Sequence, residues 1–250
     1  MAAAPPLVLL HGFTQTGVSW RPVVEHLPTH RRVLTPDLPG HGTAGALRLD
    51  LVASAARLAE VIGDEPAVVV GYSMGGRTAL RLALDHPRSV AGLVLLGATA
   101  GIDDDRERAD RRAADEALAD RIEREGVESG AIDRFIAEWL AQPLFADLTP
   151  EPDDLAARRA NTPEGLASSL RLAGTGTMDP PWWMELGSIE VPTLVAWGER
   201  DQKFAALGRR LAAAIGANAT TASIDDAGHA AHLEQPAAAA HLISGHTSPA

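Results

Sequence analysis

The pentapeptide Gly71-Tyr72-Ser73-Met74-Gly75 sets one serine between glycines, where the β-branched run Val68-Val69-Val70 gives way to a helical pattern. A serine hydroxyl is a weak nucleophile and a weak base until a neighbour accepts its proton, and the usual acceptor is an imidazole oriented by a carboxylate. In the G-x-S-x-G pattern a strand, a sharp turn and a helix expose such a serine, with small neighbours letting the backbone bend. Outside that setting the same residues would be an ordinary Gly-rich turn.

The acid and the histidine are expected later in the chain, in that order. Asp201, in "WGERDQKF", follows an apolar run that reads as a strand, and a loop there can turn its carboxylate inward. Glu199 and Asp225 are its rivals. His229, in "DDAGHAAHLEQP", falls in the loop after the last expected strand, with His232 three residues on as the alternative base. Charge that develops on a substrate oxygen needs fixed donors, and backbone N–H groups serve without reorganising. His11-Gly12-Phe13 follows the first expected strand, so the expected oxyanion donors are the N–H groups of Phe13 and of Met74, next to the serine. Asp37, Gly40 and Gly42 in "TPDLPGHG" read as a tight turn without a chemical role. His229 and His232 have no third ligand at metal-site spacing, so cofactor-free chemistry is expected.

These loops need a frame. Residues 7–10, 32–37, 67–71, 92–97, 192–198 and 220–225 read as strands, several apolar enough to be buried on both faces. Helical patterns lie between them at 18–27, 49–62, 75–86, 204–215 and 236–244. This alternation predicts an α/β fold, a mainly parallel sheet of about six strands with helices on both faces. Residues 101–186 break the rhythm: no strand is legible there, only helical pieces. Ile132, Phe135, Ile136, Trp139 and Leu140 form one apolar stripe, and Thr162-Pro163 reads as a helix start. The expected organisation is a core of 1–100 and 187–250 with 101–186 inserted as a helical lid.

Composition narrows the partners. The 250 residues carry a net charge of −11, which opposes binding to phosphate backbones, so nucleic acid is not an expected partner. No apolar run is long enough to span a bilayer, the start "MAAAPPLVLLHGF" lacks a basic n-region, and there is no cysteine, which together suggest a cytoplasmic protein. Lys203 is the single lysine, and the prevalence of arginine elsewhere is not itself evidence of anion recognition. The closing "SGHTSPA" has no apolar pattern and is expected to fray.

The chain resembles the α/β-hydrolase superfamily. More narrowly, "LHGFTQTGVSW", "GYSMGGR", "WLAQPLF", "RRANTPEGLASSLRLAGTG" and "GERDQKF" are similar to the 2-succinyl-6-hydroxy-2,4-cyclohexadiene-1-carboxylate (SHCHC) synthases of menaquinone biosynthesis. That resemblance implies a lyase that removes pyruvate from a succinyl-cyclohexene dicarboxylate, with Ser73 as a general base rather than an acylated nucleophile. It further implies an anionic substrate bound by Arg77, Arg111 and Arg159, with Arg112 and Arg158 as adjacent alternatives, and by Tyr72, Trp139 and Phe204. The competing reading is a serine hydrolase of a small ester, lactone or carbon–carbon bond. A ligand-binding protein on the same scaffold is the third, which the complete set of triad residues disfavours.

Overall fold

The computed structural model describes residues 4–29 and 31–246. Residues 247–250 of the tail expected to fray, and residues 1–3, lie outside the described part. Six strands form one parallel sheet: β1 (Leu7–Leu10), β2 (Val33–Leu34), β3 (Ala67–Tyr72), β4 (Val90–Leu96), β5 (Thr193–Gly198) and β6 (Ala219–Ile224). Their order across the sheet is β2-β1-β3-β4-β5-β6. The direction of growth reverses between β1 and β3, and in such sheets the crevice beyond the strands' carboxyl ends at that point is where ligands bind.

Ten α-helices accompany the sheet: α1 (Arg21–Val24), α2 (Leu51–Ile62), α3 (Met74–Asp85), α4 (Asp105–Glu125), α5 (Ala131–Leu140), α6 (Pro152–Arg159), α7 (Pro163–Ala173), α8 (Gln202–Ile215), α9 (Ala231–Glu234) and α10 (Pro236–His246), counted among the described residues. Alternate strand residues supply the two faces. Val8, Leu10, Val69, Leu93, Leu95 and Val195 pack with the apolar sides of α2, α3 and α8. Leu7, Leu9, Val68, Val70, Val94 and Leu96 pack with Trp20, Val23, Ala239 and Ile243 on the other face. Burial on both faces is why these strands read as continuous apolar runs.

Two elements are shorter than the sequence suggests, and proline explains both. The strand expected over 32–37 stops at Leu34, because Pro36 has no N–H for the ladder. The helix expected over 18–27 is a 3₁₀ turn at Gly17–Trp20 followed by α1, since Pro22 cannot donate back into a preceding helical turn.

Between β4 and β5 no strand occurs among the described residues. Ala119 and Ile122 of α4, Phe135 and Ile136 of α5, and Leu166, Ala167 and Leu170 of α7 bury one another in a separate apolar cluster. Phe13 and Trp139 pack at its margin, toward the sheet. Thr162 caps α7 by accepting from the Gly165 N–H. Among the described residues no helix is long and apolar enough to cross a membrane.

Candidate active site

Ser73 sits in the one-residue corner between β3 and α3 with φ 50° and ψ −106°, a conformation that side-chain-bearing residues rarely adopt. The corner closes only because its flanks lack side chains. A Cβ on Gly71 would lie 2.4 Å from the Gly75 carbonyl oxygen, and one on Gly75 would lie 2.2 Å from that of Leu10. Met74 opens α3, so its N–H has no acceptor within the helix. It lines the same cavity as Phe13 and Ser73.

The two loops beyond β5 and β6 complete the constellation. His229 Nε2 lies 3.4 Å from Ser73 Oγ, and His229 Nδ1 lies 2.7 Å from Asp201 Oδ2. Asp201 is also the cap of α8, where its Oδ1 accepts the Phe204 N–H at 3.1 Å, and this bond fixes the carboxylate that orients the imidazole. Glu199 is engaged elsewhere, accepting the Asp226 N–H, and Asp225 is exposed. His232 is fully buried against Tyr72 and Trp20, away from the serine hydroxyl. The His229 ring is enclosed by Phe204, with ring centres 4.3 Å apart, and by Tyr72 at 5.3 Å.

A cavity of about 370 Å³ opens over this group. Its wall carries Arg77 and Arg111 on one side, Lys203 and Phe204 on another, and Trp139, Leu144 and Phe145 from the inserted segment. Arg77 is buried and donates from Nη2 to the Ala173 carbonyl at 2.8 Å, while its Nε has no partner. Burial, aided by the neighbouring Arg111 charge, pushes Arg77 down to about 10, which still leaves it cationic at neutral pH. An unpartnered donor on a buried cation is costly, and the cost is reduced if an anion binds beside the guanidinium in the cavity.

Arg111 is held by Asp115, whose two oxygens each lie 2.9 Å from its Nε. Burial raises the Asp115 carboxyl, and the Arg111 and Arg77 charges oppose that rise. Neither Asp115 nor Lys203 was among the expected site residues. The i,i+4 spacing of Arg111 and Asp115 on one helix was the available signal.

Other expected substrate contacts are corrected. Arg159 is half-exposed and faces Asp133 at 3.7 Å, outside the cavity. Its neighbour Arg158 is buried but points to Asp154 and Thr14, so neither arginine lines the cavity. Successive residues on a helix diverge by about 100°, and α6 turns the 158 position toward Thr14 rather than into the cavity. Tyr72 is not on the cavity wall either. Its ring lies under His229 and His232, where a Cβ on Gly12 would meet it at 2.6 Å, and burial pushes its phenol well above the ordinary range. It packs against the imidazole instead of lining the cavity.

The loops that carry Phe13 are pinned by two buried histidines. His11 Nε2 accepts the Leu38 N–H at 2.9 Å, and His41 Nε2 accepts the Thr14 N–H at 3.2 Å. An imidazolium has no lone pair with which to accept, so both must stay neutral. Burial holds His11 down to about 4 and His41 down to about 3, against 6.5 for a free imidazole. The unfolded chain therefore binds protons that the folded chain refuses. The resulting stability is complete above pH 6.5 and is lost as the pH falls toward those lower values. Urea denaturation between pH 6.5 and 5 should show stability dropping by roughly 1.4 kcal/mol per pH unit for each such group, with little change from pH 7 to 8. His41→Gln, which keeps an acceptor, should flatten the slope; a flat wild-type profile would contradict the neutral assignment.

Comparison with known proteins agrees with this architecture. The family model of the α/β-hydrolase fold matches residues 5–236. A 2-succinyl-6-hydroxy-2,4-cyclohexadiene-1-carboxylate synthase of Salmonella paratyphi C is 35% identical over 240 residues, covering 94% of this chain and 90% of its own. The solved structure of MenH from S. aureus superposes with a TM-score of 0.88 at 29% identity, covering 98% of this chain and 94% of its own. The enol-lactonase from Burkholderia xenovorans LB400 superposes with a TM-score of 0.71 at 25% identity, covering 98% and 92%.

Proposed function

Because this chain belongs to the α/β-hydrolase fold family, we propose that it is an SHCHC synthase, a lyase that eliminates pyruvate from a succinyl-cyclohexene dicarboxylate in menaquinone biosynthesis. The observation that carries this reading is the cationic wall: Arg77, Arg111 and Lys203, against the one carboxylate of Asp115, line the cavity onto which Ser73 and His229 open, in a protein of net charge −11. A neutral ester or lactone has no use for such a wall, whereas a substrate with several carboxylates does. The relatives' names state the same product.

In this mechanism His229 takes the Ser73 proton, and the serine oxygen takes the ring proton alpha to the succinyl ketone. The electron pair left behind moves onto the ketone oxygen as an enolate, where the Phe13 and Met74 N–H groups receive it. Collapse of the enolate breaks the ring carbon–oxygen bond. The departing oxygen carries that electron pair away with the three-carbon unit, which is released as pyruvate once protonated. The imidazolium at His229, paired with Asp201, supplies the returning proton. Residues 101–186, as a lid over the core of 1–100 and 187–250, bring Trp139, Phe145 and Arg111 over the reacting centre and exclude water from it.

Incubation with the succinyl-cyclohexene substrate should release pyruvate and generate the diene chromophore together. No covalent step is involved, so mass spectrometry during turnover should find Ser73 unmodified, and p-nitrophenyl acetate should be hydrolysed weakly or not at all. A substrate-derived adduct on Ser73 would favour the hydrolase reading instead.

A further inference from the structure

The turn that presents Phe13 is held by residues of α6 and the loop after it. Residues 12–15 form a four-residue turn: the Gln15 N–H donates to the Gly12 carbonyl at 3.2 Å, and the Gly12 N–H donates to Gln15 Oε1 at 2.8 Å. Phe13 and Thr14 are its central residues. Thr14 has φ 68°. A positive φ at the third position of such a turn ordinarily calls for glycine or asparagine, and for a β-branched residue it is strained. The turn must therefore be held from outside.

Every polar group of Thr14 is in fact engaged. Its N–H goes to His41, its hydroxyl accepts from Arg158 Nη1 at 2.7 Å, and its carbonyl accepts from Asn161 Nδ2 at 2.8 Å. Arg158 is itself fixed by Asp154 at 2.7 Å, Asp154 by the Ser19 hydroxyl, and Asn161 Oδ1 by the Gly42 N–H at 2.9 Å. All these side chains are buried, with Arg158 2% exposed and Thr14 fully covered.

We infer that Arg158 and Asn161 are positioning residues: they clamp Thr14 in its left-handed conformation and so aim the Phe13 N–H at the oxygen on which charge develops. The inserted segment would then do more than cover the cavity, since its α6 end completes the oxyanion turn. This rests on the proposed proton-abstraction reading only for the activity it is assayed by.

Two variants test it. Arg158→Met removes the bond to the Thr14 hydroxyl but leaves Asp154 buried without its partner, so Asn161→Ala, which keeps the Arg158–Asp154 pair, guards against a mere folding failure. Each should lower kcat by about 10- to 100-fold, as a misaimed donor does, while KM moves by less than about threefold. The Phe13 amide resonance in a nitrogen-15 spectrum should shift in both. Adding Thr14→Gly to Asn161→Ala should return much of the lost kcat and bring the Phe13 resonance back, because glycine holds the turn without a clamp. A raised KM with unchanged kcat and an unmoved Phe13 resonance would mean that this region binds substrate, and would overturn the inference. Unchanged kcat in both variants, or no recovery with Thr14→Gly, would overturn it too. If the wild-type protein releases no pyruvate, the proposed function fails, and the Phe13 resonance still decides the clamp.

Discussion

Ser73→Ala is expected to lower kcat for pyruvate release by roughly three to five orders of magnitude, and His229→Ala by a similar factor. The two act on one proton, so the double variant should be little worse than either single one. Asp201→Asn separates chemistry from folding. Asparagine caps a helix about as well as aspartate, so α8 and the melting temperature should hold, while the imidazole loses the anion that sets its tautomer and stabilises its charge. Near-wild-type kcat in the Ser73 or His229 variant would refute the triad. Circular dichroism and a thermal melt of each variant would confirm that the fold survives.

The second large effect is expected at Arg77. Its guanidinium lines the cavity wall, so a substrate carboxylate there would gain a charge-assisted bond worth roughly 1.5–3 kcal/mol, and Arg77→Ala should lower kcat/KM by about ten- to a hundredfold. Arg111→Ala should cost less, because the Arg111 side chain is 42% exposed and already shared with Asp115. Arg77→Lys should fall between wild type and alanine, since a point charge restores attraction without the two-pronged geometry. Arg159→Ala belongs with Arg106→Ala and Arg124→Ala as a control that changes little, at one fixed ionic strength. Unchanged kcat/KM in both the Arg77 and Arg111 alanine variants would remove the basis for a polyanionic substrate.

These contrasts show where residue order carries information and where it does not. Strands β1, β3, β4 and β5 were legible because burial on both faces demands unbroken apolar runs, but their order across the sheet was not, since no local pattern encodes which strand lies beside which. That Ser73, Asp201 and His229 would come together was legible because each follows a strand in a stretch of recognisable composition. Asp201 was preferred to Glu199 because it lies further into the loop, and the structure sets Asp201 against His229 while Glu199 accepts the Asp226 N–H. Arg158 and Arg159 could not be told apart, because their directions depend on how α6 is rotated against its neighbours. Asp115 was hidden for a related reason. It lies in a helix crowded with charge, where a single buried carboxylate leaves no apolar periodicity to mark it.

Lys203 stands at the cavity wall with its ammonium group 5.7 Å from the centre of the Phe204 ring, and it is the one side-chain amine in the protein. An amine-selective reagent therefore addresses a single side chain, and that one beside the aromatic ring packed on His229. A fluorophore coupled there would be a built-in reporter of occupancy. Its coupling rate should fall when a carboxylate ligand fills the cavity, and its emission once attached should follow the wetness of the space above Ser73, with no cysteine to introduce and no competing lysine to remove.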